Sequence, residues 1–249
     1  MVNSMKEEVI HELLGYENLK IIQRPDMFNF SLDSTLLADF AKPLKKTKKI
    51  LDFGTGNAPI PLFLSLKTDA KIVGVEVQED VFDLAKRSVE LNNLQDQITI
   101  INDNILGLSK KFENSEFDLI TCNPPFFKYT ENSHINDSDY KTIARHEVLI
   151  NLEQIIVEAK RLLTTKGSFC MVHRTDRLIE IITLLTKHNF SIKRLRLVYP
   201  KKGQESNMVL IDASNNGNQG LKILEPLYVH ENDGYTKEIL KIFNFGKRD

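Results

Sequence analysis

Short apolar runs alternate with amphipathic segments along most of the chain, from residue 49 onward. The apolar runs have the length of strands buried in a sheet, and the segments between them repeat their apolar positions with helical spacing. The predicted strands are 49–53, 71–77, 97–102, 117–122, 167–173, 192–199 and 208–212. The predicted helices are 59–66, 79–92, 152–163 and 177–188, and Asn151 with Gln154 is expected to cap the third of them.

This alternation predicts an α/β fold with a seven-stranded, doubly wound and mostly parallel sheet. No clear helix separates the last two strands, so we expect them to form an antiparallel hairpin at one edge of the sheet. Ligands of such sheets bind outside the carboxyl ends of the strands. Residues that directly follow strands are therefore the first candidates for a functional site.

Residues 1–47 are interpreted as a short N-terminal extension of a main domain that covers residues 48–249. The apolar spacing over residues 5–14 predicts a helix at the start of this extension. An extended segment is expected over residues 19–30, followed by a short helix through Leu36. The extension is too small to form a separate substrate domain.

The composition is that of an ordinary globular protein, with 41% hydrophobic and 27% charged residues in a chain of 249. The longest stretch without an acidic or basic residue is 53–66, too short for a membrane-spanning helix, and no apolar run follows the N-terminus as in a signal peptide. Cys122 and Cys170 cannot supply a zinc site by themselves. We therefore expect a cytoplasmic protein without a metal, and no obligate protein partner is evident.

The net charge gives no indication of a nucleic-acid partner, because 33 basic residues nearly balance 34 acidic ones. Basic residues are nevertheless concentrated in two segments, 42–49 and 187–202. Either segment has the composition of a surface that contacts phosphates. Segment 187–202 is equally typical of an edge strand protected by charge, and segment 42–49 is slightly more typical of a solvated linker, so a phosphate contact remains open for both.

A glycine-containing loop follows the first predicted strand of the main domain. It contains Asp52, Gly54, Gly56 and Ala58, spaced two residues apart. Glycines at a strand-to-helix turn allow a tight bend and a close approach of a ligand to the main chain. A dinucleotide-binding loop would need a third glycine at position 59, where this chain has Pro59. The spacing instead fits a loop for S-adenosylmethionine, with Asp52 near the cationic amino-acid end of that cofactor.

Two further acidic residues follow the next two strands. Glu76 lies 20 residues beyond Gly56, where a carboxylate can accept hydrogen bonds from both ribose hydroxyls. Asp103 follows the third strand and can accept a bond from the exocyclic amine of the cofactor's adenine. Each acid alone is weak evidence, but three such strand ends in succession are much harder to obtain by chance.

The most specific feature of the chain is the tetrapeptide that follows the fourth strand, Asn123-Pro124-Pro125-Phe126. The prolines fix the backbone, so that the Asn123 side chain and the Pro124 carbonyl are aimed at one point. Two acceptors that converge in this way suit a planar NH2 group, and accepting both N–H bonds localises its lone pair for attack. Phe126 is expected to stack on the plane of the substrate.

Together these residues resemble the class I S-adenosylmethionine-dependent methyltransferases with an Asn-Pro-Pro-(Phe/Tyr) motif, a family with a Rossmann-like fold. A closer resemblance is carried by residues 28–34, by Asn-Pro-Pro-Phe-Phe and by residues 144–147. It is to bacterial tRNA adenine-N6 methyltransferases that act beside the anticodon of a valine tRNA. Two departures stand out, Ala58 in place of glycine and Phe126 where many adenine enzymes have tyrosine.

The resemblance implies methyl transfer from S-adenosylmethionine to an adenine N6 in tRNA. Asn123 and Pro124 would hold the amine, Asn123 would also lie near the cofactor, and Phe126 would stack on the base. Alternatives are a guanine-N2 methyltransferase acting on ribosomal RNA, a glutamine-amide methyltransferase acting on a protein, and a cofactor-binding scaffold without catalysis. A nicotinamide dehydrogenase is disfavoured by Pro59.

Overall fold

The computed structural model of the chain describes residues 8–13, 16–25, 31–124 and 151–243. Most of its strands belong to one sheet. The strands in chain order are β1 Val9–Leu13, β2 Tyr16–Gln23, β3 Lys49–Phe53, β4 Lys71–Glu76, β5 Ile98–Asn102, β6 Phe117–Cys122, β7 Leu163–Arg174, β8 Phe190–Lys201, β9 Met208–Asn215, β10 Lys222–Ile223, β11 Leu227–Glu231 and β12 Gly234–Tyr235. The helices are α1 Leu32–Phe40, α2 Pro59–Ser65, α3 Glu79–Leu91, α4 Leu152–Leu162, α5 Leu178–Lys187 and α6 Lys237–Phe243.

The main sheet has the strand order β12-β11-β8-β9-β7-β6-β3-β4-β5, and β10 also pairs with β8. The five strands β3 to β7 all pair in parallel with one another. Strand β9 lies between β7 and β8 and pairs antiparallel with both. The seven strands predicted from the sequence are thus present as β3–β9. The order changes direction at β3, so the loops after β3 and β6 leave the sheet side by side.

Helices cover both faces of the sheet. Ile50 packs into a core cluster with residues of α1, α2 and α3, whereas its neighbour Leu51 packs into a second cluster with residues of α4 and α5. Neighbouring residues of a strand point to opposite faces, so apolar residues in succession are what a doubly covered strand requires. The predicted cap of α4 is observed, with Asn151 and Gln154 bonded reciprocally through side chain and backbone.

The helix predicted over residues 5–14 is wrong over Val9–Leu13, which form strand β1 and pair antiparallel with β2. The hairpin β1–β2 packs against α3. Asn92, just after α3, bonds both backbone groups of Lys20, and Arg87 binds Glu8 through two nitrogens at 2.7 and 2.8 Å. Pairing with β2 and these contacts with α3 outweigh the local helical spacing.

The predicted antiparallel hairpin is present as β8 and β9, but β8 is not the last strand of the sheet. β11 adds to β8 in parallel. Leu227 and Val229 of β11 are buried together with Ile239 of α6. β10 and β12 have two residues each and are too short to give a periodic pattern, and β11, with five residues, is not predicted from the sequence either.

The two basic segments take different places relative to the sheet. Residues 42–49 lie before and at the start of β3, at the edge opposite to the carboxyl ends of the parallel strands. β8 runs in the same direction as β7, so Lys193 lies near the opposite edge while Lys201 lies at the carboxyl edge. Within the described ranges, no helix has the length and apolar character needed to cross a membrane.

Candidate active site

The loop after β3 has the backbone that its glycines predict. Gly54 and Gly56 adopt positive φ angles of 64° and 57°, a region that residues with a Cβ avoid. A Cβ built on either glycine would meet no heavy atom of the described residues within 4 Å. The backbone of this loop therefore borders open space, and a ligand can approach it closely. Ala58 has a φ of 72° although it is not glycine, which stores strain of roughly 1–2 kcal/mol.

Asp52, the acid at the end of β3, is fully buried. Its Oδ2 accepts a bond of 2.7 Å from the Thr55 hydroxyl, and its Oδ1 accepts one of 2.6 Å from the Thr121 hydroxyl. Burial raises the pKa of Asp52 to about 7, although both threonine hydroxyls favour its charged form. Asp52, which the sequence predicts to lie beside the cofactor, is therefore a carboxylate enclosed by protein. This geometry favours a supporting role, in which Asp52 holds the loop rather than touching a ligand.

Glu76, at the end of β4, lies directly against the glycine loop. The Gly56 N–H donates to its Oε2 and the Gln78 N–H to its Oε1, both at 3.0 Å. Burial raises the pKa of Glu76, and the two N–H donors counteract this. Each carboxylate oxygen keeps a lone pair for a further donor. The glycine loop and the Glu76 carboxylate, from which the sequence predicts a ribose site, are therefore in contact in the structure.

Asp103, just after β5, is next to Glu76 through the backbone, because its N–H donates to the Glu76 carbonyl at 3.0 Å. Its side chain forms an ion pair with Lys111 and accepts a bond of 2.8 Å from the Asn104 N–H. Asp103 is therefore in the predicted place relative to Glu76. Because the Asp103 carboxylate is already paired with Lys111, an incoming amine must share it with this lysine.

Asn123 follows β6 and is half-buried, and Pro124 behind it is buried. The Asn123 Nδ2 donates to the Ser34 Oγ at 3.1 Å. Among the described residues, no donor is bonded to the Asn123 Oδ1, which leaves this oxygen able to accept a bond from a ligand. Phe126, predicted to stack on the substrate, lies outside the described residues.

The register of the sheet brings the two loops together. Phe53 pairs with Cys122 across β3 and β6, so Gly54 and Asn123 are the next residues on adjacent strands. Adjacent strands are about 5 Å apart. The glycine loop and the Asn-Pro turn therefore begin one strand spacing from each other, so ligands held by the two loops would lie next to each other.

Several supporting residues are not found by sequence reasoning. Thr55 and Thr121 bind Asp52, and the buried Asn57 side chain donates to the Ile22 carbonyl at 3.0 Å, tying the glycine loop to the N-terminal hairpin. Thr55 is close to Asp52 in the chain, so a local bond could have been suspected. Thr121 and Ile22 depend on strand pairing and on the placement of the hairpin, and nothing in the linear pattern indicates them.

Comparison with family models decides the family. The model of the methyltransferase small domain matches residues 18–192, well over half of the chain. The chain belongs to this family. The matched residues of this methyltransferase small domain include the glycine loop, Glu76, Asp103 and the Asn123 turn. The methyltransferase predicted from these residues is thus confirmed at the level of the family.

Individual relatives of this methyltransferase small domain carry a more specific name. The tRNA1(Val) (adenine(37)-N6)-methyltransferase of Porphyromonas gingivalis is 31% identical over 163 residues, or 64% of this chain and 63% of that relative. The match thus spans slightly less than two thirds of that relative's length. A protein of the same name from Tolumonas auensis is 28% identical over 181 residues, or 72% of this chain and 73% of the relative.

A solved structure with the same fold is a predicted O-methyltransferase from Agrobacterium tumefaciens. It superposes with a TM-score of 0.67 at 19% sequence identity, covering 86% of this chain and 96% of that one. This likeness concerns the fold. The predicted doubly wound, mostly parallel sheet of the methyltransferase small domain is confirmed.

Proposed function

We propose that the chain transfers a methyl group from S-adenosylmethionine to the N6 amine of an adenine in tRNA, beside the anticodon of a valine tRNA. The observation that carries this proposal is the Asn123 turn, which begins one strand from the glycine loop with the Asn123 Oδ1 open to a donor. The names of the relatives support the choice of substrate. A tRNA substrate also places the reaction in the cytoplasm.

The described residues fit S-adenosylmethionine. The glycine loop borders open space that a Cβ at Gly54 or Gly56 would partly fill, so the main chain can lie against the cofactor. Glu76 offers the free lone pairs of a buried carboxylate to the two ribose hydroxyls, and Asp103 lies next to it for the adenine amine. The sulfonium of the bound cofactor supplies an already activated methyl group, so the chain needs no strong base.

The chain's own contribution is to position the amine. The Asn123 Oδ1 and the Pro124 carbonyl accept its two N–H bonds, which directs the nitrogen lone pair toward the glycine loop. Phe126, which lies outside the described residues, would stack on the base. Neither an amide side chain nor a backbone carbonyl is a nucleophile, so the amine itself would attack the methyl group in line, without a covalent enzyme intermediate. The amine proton leaves to solvent after the nitrogen has become cationic.

Substitution of Asn123 tests this assignment. Asn123→Ala removes one of the two acceptors, and we expect methyl transfer to fall roughly a hundredfold or more while cofactor affinity stays unchanged. The matched control is Asn218→Ala, at an exposed asparagine whose backbone carbonyl, not its side chain, accepts a bond. Full transfer activity in Asn123→Ala would contradict the proposed function.

A further inference from the structure

Ser34 is the described residue whose side chain bonds that of Asn123. We propose that Ser34 is a positioning residue: its hydroxyl holds the Asn123 amide so that the amide oxygen faces the substrate amine. This inference rests on the proposed function, because it concerns how the amine acceptor is oriented. Ser34 lies far from Asn123 in the chain and outside the main run of strands and helices.

The geometry fixes Ser34 firmly. It lies in the first turn of α1, where it is 5% exposed, and residues on most sides of this helix are buried in the core. The Asn123 Nδ2 donates to its Oγ at 3.1 Å. A hydroxyl on a packed helix cannot follow a rotating amide, so the bond constrains Asn123 rather than Ser34.

The orientation of the amide decides what it can do. An asparagine side chain presents an oxygen acceptor on one side and an NH2 donor on the other. A substrate amine has two N–H donors, so it is bound by the oxygen and repelled by the NH2. The bond between Nδ2 and Ser34 places the NH2 toward α1 and leaves Oδ1 unbonded among the described residues.

Loss of the Ser34 hydroxyl releases this orientation. The Asn123 NH2 then lacks its partner, and the half-buried amide can turn this group toward the open site, where solvent satisfies it. In the wild type this bond holds the Asn123 side chain in the conformation that points its oxygen at the open site, and loss of one such bond lowers the population of a held conformation by roughly fivefold to tenfold. The productive orientation is therefore depleted, while the cofactor loop and Glu76, whose hydrogen bonds among the described residues do not involve Ser34, keep their geometry.

The test compares Ser34→Ala with Thr35→Val. Thr35 is the next residue of α1, and its fully buried hydroxyl has no hydrogen-bond partner among the described residues, so valine replaces it without loss of a bond seen there. We expect Ser34→Ala to lower kcat roughly fivefold to tenfold with the KM for S-adenosylmethionine unchanged. Thr35→Val should keep the kcat of the wild type. Equal kcat values in Ser34→Ala and wild type would overturn the proposal.

A second variant and a double substitution separate this role from folding. Ser34→Cys keeps nearly the same volume but has a weak acceptor, so its kcat should also fall while its melting temperature stays near that of the wild type. In the Asn123→Ala background, Ser34→Ala should cause no further loss, because Ser34 acts through Asn123. A further fivefold loss in that background would contradict the proposal.

The kcat values are measured by transfer of labelled methyl groups into RNA, and this assay distinguishes a failure of the proposed function from a failure of the proposed role of Ser34. It measures label in whichever nucleoside the wild-type protein methylates. If that nucleoside is not N6-methyladenosine, the proposed substrate is wrong, and the ratio of Ser34→Ala to wild type still tests the role of Ser34. A wild-type protein that methylates no RNA would overturn both.

Discussion

Asp52 on β3 and Thr121 on β6 are joined by a hydrogen bond of 2.6 Å, the Thr121 hydroxyl donating to the Asp52 Oδ1. The second oxygen of Asp52 accepts the bond from Thr55 in the glycine loop. One fully buried carboxylate therefore connects the loop proposed to bind the cofactor with the strand that leads to Asn123. The relative position of the proposed methyl-donor site and the proposed amine site depends on this buried connection.

Asp52→Asn should change how the stability of the protein depends on pH. The pKa of Asp52 is about 7 in the folded protein against 3.8 for an ordinary aspartate, so between these values the folded protein holds a proton that the unfolded chain has lost. The contribution of Asp52 to wild-type stability therefore falls as pH rises from about 4 to about 7. Asparagine stays neutral and can bond both threonines, accepting from one hydroxyl and donating its NH2 to the oxygen of the other. We expect its stability advantage over wild type to grow across this range, as measured by urea unfolding.

The matched control for this substitution is Asp69→Asn, at an exposed aspartate before β4. It should leave the pH profile parallel to that of the wild type. A parallel profile for Asp52→Asn as well would show that the buried carboxylate does not control the pH dependence.

Gly56→Ala should weaken cofactor binding more than it weakens the fold. The positive φ strains alanine by roughly 1–2 kcal/mol, but no neighbour within 4 Å clashes with the new methyl group. The methyl group instead enters the open space proposed for the cofactor. Gly203→Ala is the control, since Gly203 has a φ of 87° and equally open surroundings in the turn after β8. Both variants should lose a few degrees of melting temperature, and only Gly56→Ala should lose affinity for S-adenosylmethionine in calorimetric titration.

Glu76→Gln should lower the affinity for S-adenosylmethionine by roughly tenfold to a hundredfold, because hydrogen bonds to a charged acceptor contribute about 1.5–3 kcal/mol. The glutamine also loses one of the two oxygens that now bind the Gly56 and Gln78 N–H groups. Glu90→Gln, at an exposed position of α3, removes the same charge from the surface and serves as the control. Equal affinities in Glu76→Gln and Glu90→Gln would argue against a ribose contact at Glu76.

Elements with a clear pattern of their own are well predicted from this sequence. β3 and β6 match their predicted bounds, and the cap of α4 at Asn151 is found from its residue types alone. The apolar spacing within each of these elements reflects the face that the element buries, so it can be recognised without knowing the rest of the fold. Val9–Leu13 has a helical spacing instead, and its strand conformation comes from β2 and α3, which lie later in the chain.

The candidate site likewise contains contacts that the sequence predicts and contacts that it does not. Gly56 and Glu76 are predicted as neighbours because parallel strands end at one edge, and a bond of 3.0 Å joins them. The burial of Asp52 is not predictable in this way, since it depends on the threonine that β6 places opposite it. Ser34 likewise meets Asn123 only through the packing of α1 over the sheet.

The most direct test of the central claim is the identity of the methylated nucleoside. The wild-type protein is incubated with total bacterial RNA and S-adenosylmethionine labelled in its methyl group, and the RNA is then separated by size and digested to nucleosides. We expect the label in the tRNA fraction, as N6-methyladenosine. Label in ribosomal RNA as N2-methylguanosine, or no label in any RNA despite measurable cofactor binding, would contradict the account.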